Sequence, residues 1–392
     1  MERNTHDPER RLLLRQALAF AGAAALTGAS GCAATPPGAG TSAAVPLSDP
    51  HPALGRTLTR IGFGSCAEAS KPQPVWDAIH ERQFDLFVFL GDNIYGDTRD
   101  MSVLKAKYAE LAAQPGFARL RAQTPVLAIW DDHDFGEDDA GGDYPRKEES
   151  RQIFLDFWNV PADSPRRERD GVYGSCVFGP PGRRVQVILP DLRYNRTPLV
   201  PLDLGGADYE AWANQRLAAG LEVPGPYARN PDHRATMLGE RQWQWLERQF
   251  EVPADLRVIG SSVQVLADFT GWESWAVFAR DRERLFDLIR RKQANGVLFL
   301  SGDVHYAELS KQDLNVPYTL WDLTSSGLTE EWKVPTPNAN RASEVVTDAN
   351  FGFIEIDWQE RGAQLTLGIA DAAGRTRMSW DLALASLAAR QP

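Results

Sequence analysis

The stretch "DLFVFLGDNIYGD", Asp85 to Asp97, decides how the rest of the chain is read. Leu86–Leu90 is an unbroken apolar run with no polar face, the mark of a strand buried on both sides. The run stops at Gly91-Asp92, so a carboxylate stands where the strand leaves the core. The same grammar recurs in "TRIGFGSC" (Thr59–Cys66), "PVLAIWDDHD" (Pro125–Asp134) and "GVLFLSGDVH" (Gly296–His305). "LRVIGSS" (Leu256–Ser262) is a further strand. Between these runs, Val75–Phe84, Ser102–Ala122, Ser150–Val160 and Arg280–Gln293 read as helices, the second broken at Pro115. Alternating stretches at 171–179, 183–194, 318–326, 352–358 and 363–371 read as strands of a mixed sheet. With βα units first and more antiparallel strands later, the class is α/β.

In open α/β sheets, ligands sit beyond the carboxyl ends of the strands. The strand ends would therefore deliver Cys66, Asp92, Asp132 with His133, and Asp303 with His305 to one edge. "WDDHDFGEDDAGGD" (Trp130–Asp143) holds seven carboxylates and one histidine, a crowding that bound cations would neutralise. Asp92, Asn93, Asp97, Asp131, Asp132, Asp134 and Asp303 are hard oxygen donors. With six histidines in the whole chain, a zinc site built on several imidazoles is hard to assemble. Oxygen donors suit calcium, magnesium, manganese or ferric iron, and Cys66 with Tyr95 favours iron on one side. Asp138, Asp139 and Asp143 lie among glycines and read as solvated.

The chain has 392 residues, a net charge of −11 and a pI near 5.2, which argues against a basic-surface nucleic-acid binder. Residues 1–32 read as an export signal, with paired Arg10–Arg11, a short apolar run Ala17–Gly31 and then Cys32. The paired arginines resemble a twin-arginine signal. The small residues before Cys32 resemble a lipoprotein box, so cleavage with lipid anchoring and plain release are both open. Residues 33–56 read as a flexible linker and 57–392 as the working domain. Three cysteines, one of them in the signal, make no disulfide framework.

"FGSC", "FLGDNIYGD", "WDDHDFG", "MLGERQWQWLE" and "LFLSGDVHYAEL" followed by "TSSG" resemble the PhoD-like (alkaline phosphatase D) family, related to the calcineurin-like metallophosphoesterases. The likeness spans about Arg60 to Ile369. It implies a four-layer α/β/β/α sandwich, ferric iron with calcium, and hydrolysis of phosphate monoesters and diesters as small-molecule partners. It further implies Cys66, Asp92, Tyr95, Asp132, Asp303 and His305 as metal ligands, with Asp92 bridging. Asn93, Asp97, Asp131 and Asp134 are additional candidates. His133 would face the substrate and Arg193 would clamp phosphate as a bidentate donor. Two departures stand out. The β-rich domain that better-known members carry before the core has no counterpart between Cys32 and the first strand, and Asn93 replaces a common aromatic. Export through the twin-arginine machinery to the periplasm or cell envelope is the expected location.

Two other readings compete. One is a phospholipase-type phosphodiesterase, with Trp272, Trp275 and Phe278 lining an apolar leaving-group pocket. The other is a non-catalytic exported lipoprotein that binds metal or phosphate. A serine nucleophile is disfavoured, since Ser65 lacks a G-x-S-x-G setting.

Overall fold

The structure, a computed structural model, describes residues 48–359 and 362–389. The chain first forms β1 (Arg60–Gly64), α1 (Val75–Glu81), β2 (Leu86–Leu90), α2 (Met101–Ala113), α3 (Pro115–Gln123), β3 (Val126–Ile129), the short α4 (Asp132–Phe135) and α5 (Lys147–Phe157). It continues through β4 (Gly174–Phe178), β5 (Val185–Leu189), β6 (Val200–Pro201), α6 (Tyr209–Ala218), β7 (Tyr227–Ala228), α7 (Gly239–Gln249), β8 (Leu256–Ser261) and α8 (Ala279–Arg291). It closes with β9 (Val297–Ser301), β10 (Ala307–Gln312), β11 (Leu320–Ser325), β12 (Asn350–Gln359), β13 (Gly362–Asp371) and β14 (Thr376–Ala383).

Local chemistry sets several of these boundaries. Asp100 caps α2 by accepting the Ser102 N–H at 2.8 Å. The break expected at Pro115 is present: α2 stops at Ala113, and Pro115 opens α3, where its missing N–H has no helical partner to lose. α8 buries Leu285, Leu288 and Ile289, one stripe at helical spacing.

Twelve of the strands form two six-stranded mixed sheets, as the resemblance implies, and β6 pairs with β7 alone. One has the order β14-β13-β12-β1-β2-β3, with β1, β2 and β3 parallel and the remainder antiparallel. The other has the order β10-β11-β9-β8-β5-β4, with four parallel central strands and an antiparallel strand at each edge. Period-two alternation tells which face of a strand is buried, but not which strand lies beside it. β2, β5, β8 and β9 are buried along their whole length, as continuous apolar runs require. The sheets meet face to face at Gly260, where a Cβ would stand 2.6 Å from a Leu189 methyl and 2.8 Å from a Leu90 methyl. Trp76 of α1, Phe117 of α3 and Trp158 after α5 surround Phe89 with ring centroids 6.3, 5.6 and 5.2 Å away. On the other side Gln186 of β5 donates to the Gln249 carbonyl of α7 at 3.1 Å. The fold is thus the four-layer α/β/β/α sandwich that the resemblance implies.

The export signal, residues 1–32, and residues 33–47 of the expected linker lie outside the described residues. The rest of that linker, 48–56, is not a free tether. Asp49 is buried, ion-paired with Arg169 at 2.8 Å, and its N–H donates to the Ser175 carbonyl of β4 at 2.7 Å. Composition does not show this, because a Pro/Ala/Gly-rich stretch hides one buried carboxylate. Cys66 and Cys176 are free and buried. Among the described residues no helix is long and apolar enough to cross a membrane.

Candidate metal centre

Three of the four polar strand ends leave their sheet through left-handed residues, while the end of β3 passes through extended Asp131 into α4. Cys66 (φ 63°) follows β1, Asp92 (φ 48°) follows β2, and Asp303 (φ 76°) with His305 (φ 58°) follows β9. Non-glycine residues avoid this region, and each such residue costs about 1–3 kcal/mol. The turns swing the side chains over the sheet edge instead of along the strand. Gly91 (φ 104°) permits the approach of β3, since a Cβ there would lie 2.5 Å from that of Asp131. Gly302 does the same for Ser65, whose Oγ would stand 2.5 Å from an added Cβ.

The sequence-identified donors converge. Cys66, Asp92 and His305 offer ligand atoms all within 4.8 Å of one another. Cys66 Sγ is 3.3 Å from Asp92 Oδ2, and the Tyr95 hydroxyl is 3.3 Å from His305 Nε2. Asp92, Asp132 and His133 form a second such group, and Asp131, Asp132 and Asp303 a third. Asp92 therefore stands in two groups, where a bridging carboxylate would. Asp92 Oδ1, Asp131 Oδ2 and Asp132 Oδ1 are buried with no hydrogen-bond partner among the described residues. Buried oxygens are normally satisfied, so these orphaned ones fit cation binding.

Protonation points the same way. Burial, reinforced by the neighbouring acids, pushes Asp92 and Asp303 well above the usual carboxylate range, and burial raises the Cys66 thiol and Tyr95 phenol. Cations would reverse that preference. Burial lowers His305 to about 4, leaving the neutral imidazole a metal requires. His133 differs: burial opposes its charge, but Asp132, Asp92 and Asp97 outweigh it and hold the imidazolium up to about 12.

Around these donors lies a supporting layer that revises several expected roles. Asp97 is a partner of His133, whose Nδ1 lies 2.7 Å from its Oδ1. Asp134 is occupied internally: it accepts from the Asp131 N–H at 2.6 Å and from Asn93 Nδ2 at 2.5 Å. Asn93 also donates to the Ile129 carbonyl at 2.9 Å, so its amide braces β2 against β3. Arg193, expected to clamp phosphate, is held by carboxylates, and its Nη2 makes no hydrogen bond among the described residues. It is 1% exposed, its Nε donates to Asp131 at 2.5 Å and its Nη1 to Glu273 at 2.7 Å. Its Nη2 lies 2.7 Å from the other Glu273 oxygen and 3.5 Å from Asp132. A cation among three carboxylates holds them in place.

Some residues were not legible in advance. Glu273 joins Arg193 to Arg196, and Ser262 donates to Asp131 at 2.7 Å. No spacing motif marks either one. Asp139, read as solvated, is half-buried: its N–H donates to Asp132 at 2.7 Å and its carboxylate accepts from the Tyr227 hydroxyl. Asp143 is exposed, as expected, whereas Asp138, though exposed, offers a ligand atom within 4.8 Å of those of Asp132 and Asp139. Trp275 and Phe278 are core residues, while Trp272 is partly exposed.

Arg193→Met should destabilise the metal-free protein by roughly 3–5 kcal/mol, because it strands Asp131 and Glu273 as buried anions. Urea unfolding reads this. A phosphate-clamping role would instead raise KM and leave stability intact.

A family model described as PhoD-like phosphatase matches residues 61–367. Alkaline phosphatase D of Bacillus subtilis (strain 168) is 24% identical over a 294-residue alignment that covers 65% of this chain and 47% of that protein. The chain thus spans about half the length of that curated relative. The solved structure of PhoD superposes with a TM-score of 0.60 at 16% identity, covering 85% of this chain and 74% of the other. GAP50, the anchor in the inner membrane complex of Plasmodium, gives 0.51 at 10% identity, covering 86% and 90%. These two likenesses speak for the fold alone. With the family match running from β1 into β13 and through every donor of the metal centre, the chain belongs to the PhoD-like phosphatase family.

Proposed function

We propose that this protein is an exported, metal-dependent hydrolase of phosphate esters. The observation that carries the reading is Asp92, buried between two donor groups with one oxygen unpartnered. Cys66, Tyr95, His305 and Asp92 would hold ferric iron, for which a thiolate and a phenolate are suitable donors. Asp92, Asp131, Asp132 and Asp303 offer the all-oxygen set that calcium takes. When bound, such ions supply positive charge for phosphate oxygens and make a water acidic enough to attack phosphorus near neutral pH.

The chain's own residues do the remainder. Asp97 engages His133 through Nδ1, which orients the ring and leaves Nε2 to act. The Tyr95 ring lies against His133 with centroids 4.3 Å apart and further fixes its plane. His133, with Nε2 left available by the Asp97 contact, would give a proton to the leaving alkoxide and so avoid release of a strong base. Arg193 and Glu273 keep Asp131 and Asp132 in place while the charge at the centre changes. The paired arginines near the N-terminus support twin-arginine export to the periplasm or cell envelope, and Cys32 supports a lipid anchor.

The deciding experiment is elemental analysis of the purified chain beside hydrolysis of an aryl phosphate and a bis-aryl phosphate, with and without chelator. Bound iron, with or without calcium, and chelator-sensitive turnover are expected, and the ratio of the two rates assigns monoester or diester preference. Metal without turnover of either ester would replace the enzyme with a binding protein.

A further inference from the structure

We propose that a row of aromatic side chains beside the metal centre seats the alcohol part of the ester, and that this alcohol is an extended apolar group. This substrate class rests on the hydrolase reading above and narrows it. Trp212, Tyr209, Trp272 and Trp332 follow one another with ring centroids 5.8, 6.0 and 6.4 Å apart. Trp332 is 46% exposed and the other three are partly exposed. α6, which carries Tyr209 and Trp212, buries none of its residues, so its aromatics contribute nothing to the core. Large aromatics left at a surface mark places where another molecule covers them.

The row is anchored to the metal centre at several points. The Trp332 N–H donates to the His305 carbonyl at 2.8 Å. Trp272 directly precedes Glu273, which grips Arg193. α6 rides on a flap whose base is closed by the pairing of β6 with β7. That flap is stitched to the segment bearing Trp272: Gly225 N–H donates to the Thr270 carbonyl and Tyr227 N–H to the Gly271 carbonyl, both at 2.9 Å. The Tyr227 hydroxyl then reaches Asp139. A substrate with its phosphate among the metal ligands would extend naturally along this wall.

The shape of the wall selects the chemistry. Tyr209 meets Trp272 at 85°, and Trp272 meets Trp332 at 71°. These two pairs cross, and Tyr209 and Trp212 are inclined by 36°, so the row provides one-sided apolar area and not a slot that sandwiches a flat base. An alkyl chain or aryl group laid across it gains burial in proportion to its length. The polar end of the substrate goes to the cations and the uncharged end to the tryptophans.

The test is calorimetric titration of the metal-loaded chain with methyl-, butyl- and octylphosphonate, which bind without being hydrolysed. Octylphosphonate should bind about 30-fold more tightly than methylphosphonate, about 2 kcal/mol at 1.4 kcal/mol per tenfold, with butyl between them. In Trp272→Ala and in Trp332→Ala, each checked for an unchanged melting temperature, that ratio should fall to about threefold or less. Equal binding of all three phosphonates, or a ratio that survives in both variants, overturns the wall and leaves ester hydrolysis standing. Failure of every phosphonate to bind removes the hydrolase reading along with the wall. A dimer dissociated by Trp332→Ala, with no effect of chain length, assigns the row to a second copy and also overturns the proposal.

Discussion

Asp92→Asn should abolish both turnover and the metal complement of the purified protein. Asparagine tolerates the left-handed turn at this position and keeps the size of the side chain, so the substitution isolates the loss of charge. Asp92 is 2% exposed, touches Cys66 at 3.3 Å, and is shared by two groups of donors. Removing its charge weakens both groups at once, whereas Asp303→Asn touches one. A fall of about a thousandfold or more in kcat is expected for Asp92→Asn, equivalent to ~4 kcal/mol of barrier. Elemental analysis should show both metals diminished. For Asp303→Asn, the iron expected near Cys66 should persist. Full turnover by an Asp92→Asn protein stripped of metal would end the metal-dependent reading.

The second large effect concerns stability. Burial raises the folded-state carboxyls of Asp191 and Asp322 to about 6, and Asp92 and Asp303 move in the same direction. An acid with a raised folded pKa binds its proton more tightly in the native state than in the unfolded chain. Its contribution is therefore fully present below the unfolded value near 4 and is lost as pH rises through about 6. Asp322 alone would remove on the order of 3 kcal/mol across that window. The chelated protein should accordingly melt at a lower temperature at pH 7 than at pH 5. Cations compete with protons for the same carboxylates, so loading should stabilise more as pH rises. Melting curves with and without chelator at the two pH values test this. A chelated protein that gains stability with pH, or a metal increment equal at both values, contradicts it.

The strand ends were legible because a run such as Leu86–Leu90 followed by Gly-Asp is a local signal of burial and then exit. Cys66, Asp92, Asp132, His133, Asp303 and His305 came together for that reason. What stayed hidden depends on partners far along the chain. Arg193 looks like a ligand-binding arginine until Asp131 and Glu273, 62 and 80 residues away, are seen around it. Asp97 and Asp134 carry the same carboxylate as true ligand candidates, and only their hydrogen bonds to His133 and Asn93 separate them. Asp139 stands among glycines, which speak for a loop, yet Tyr227 from the α6 flap covers it. The partition of the strands into two sheets was implied by the family resemblance and not by periodicity, since pairing is a long-range choice.

The short stretch at residues 48–56 bears on how this protein stays soluble. β4 is the outer strand of its sheet, and an open strand edge is a template for pairing with another chain. Ser48 and Asp49 lie along that edge, with the Asp49 N–H on the Ser175 carbonyl and the Val177 N–H on the Ser48 hydroxyl. The Asp49 carboxylate also neutralises the buried Arg169. A recombinant form begun at the first strand would expose the β4 edge and leave a buried guanidinium without its counter-ion. Its aggregation would then report the choice of starting residue and not any defect of the catalytic core.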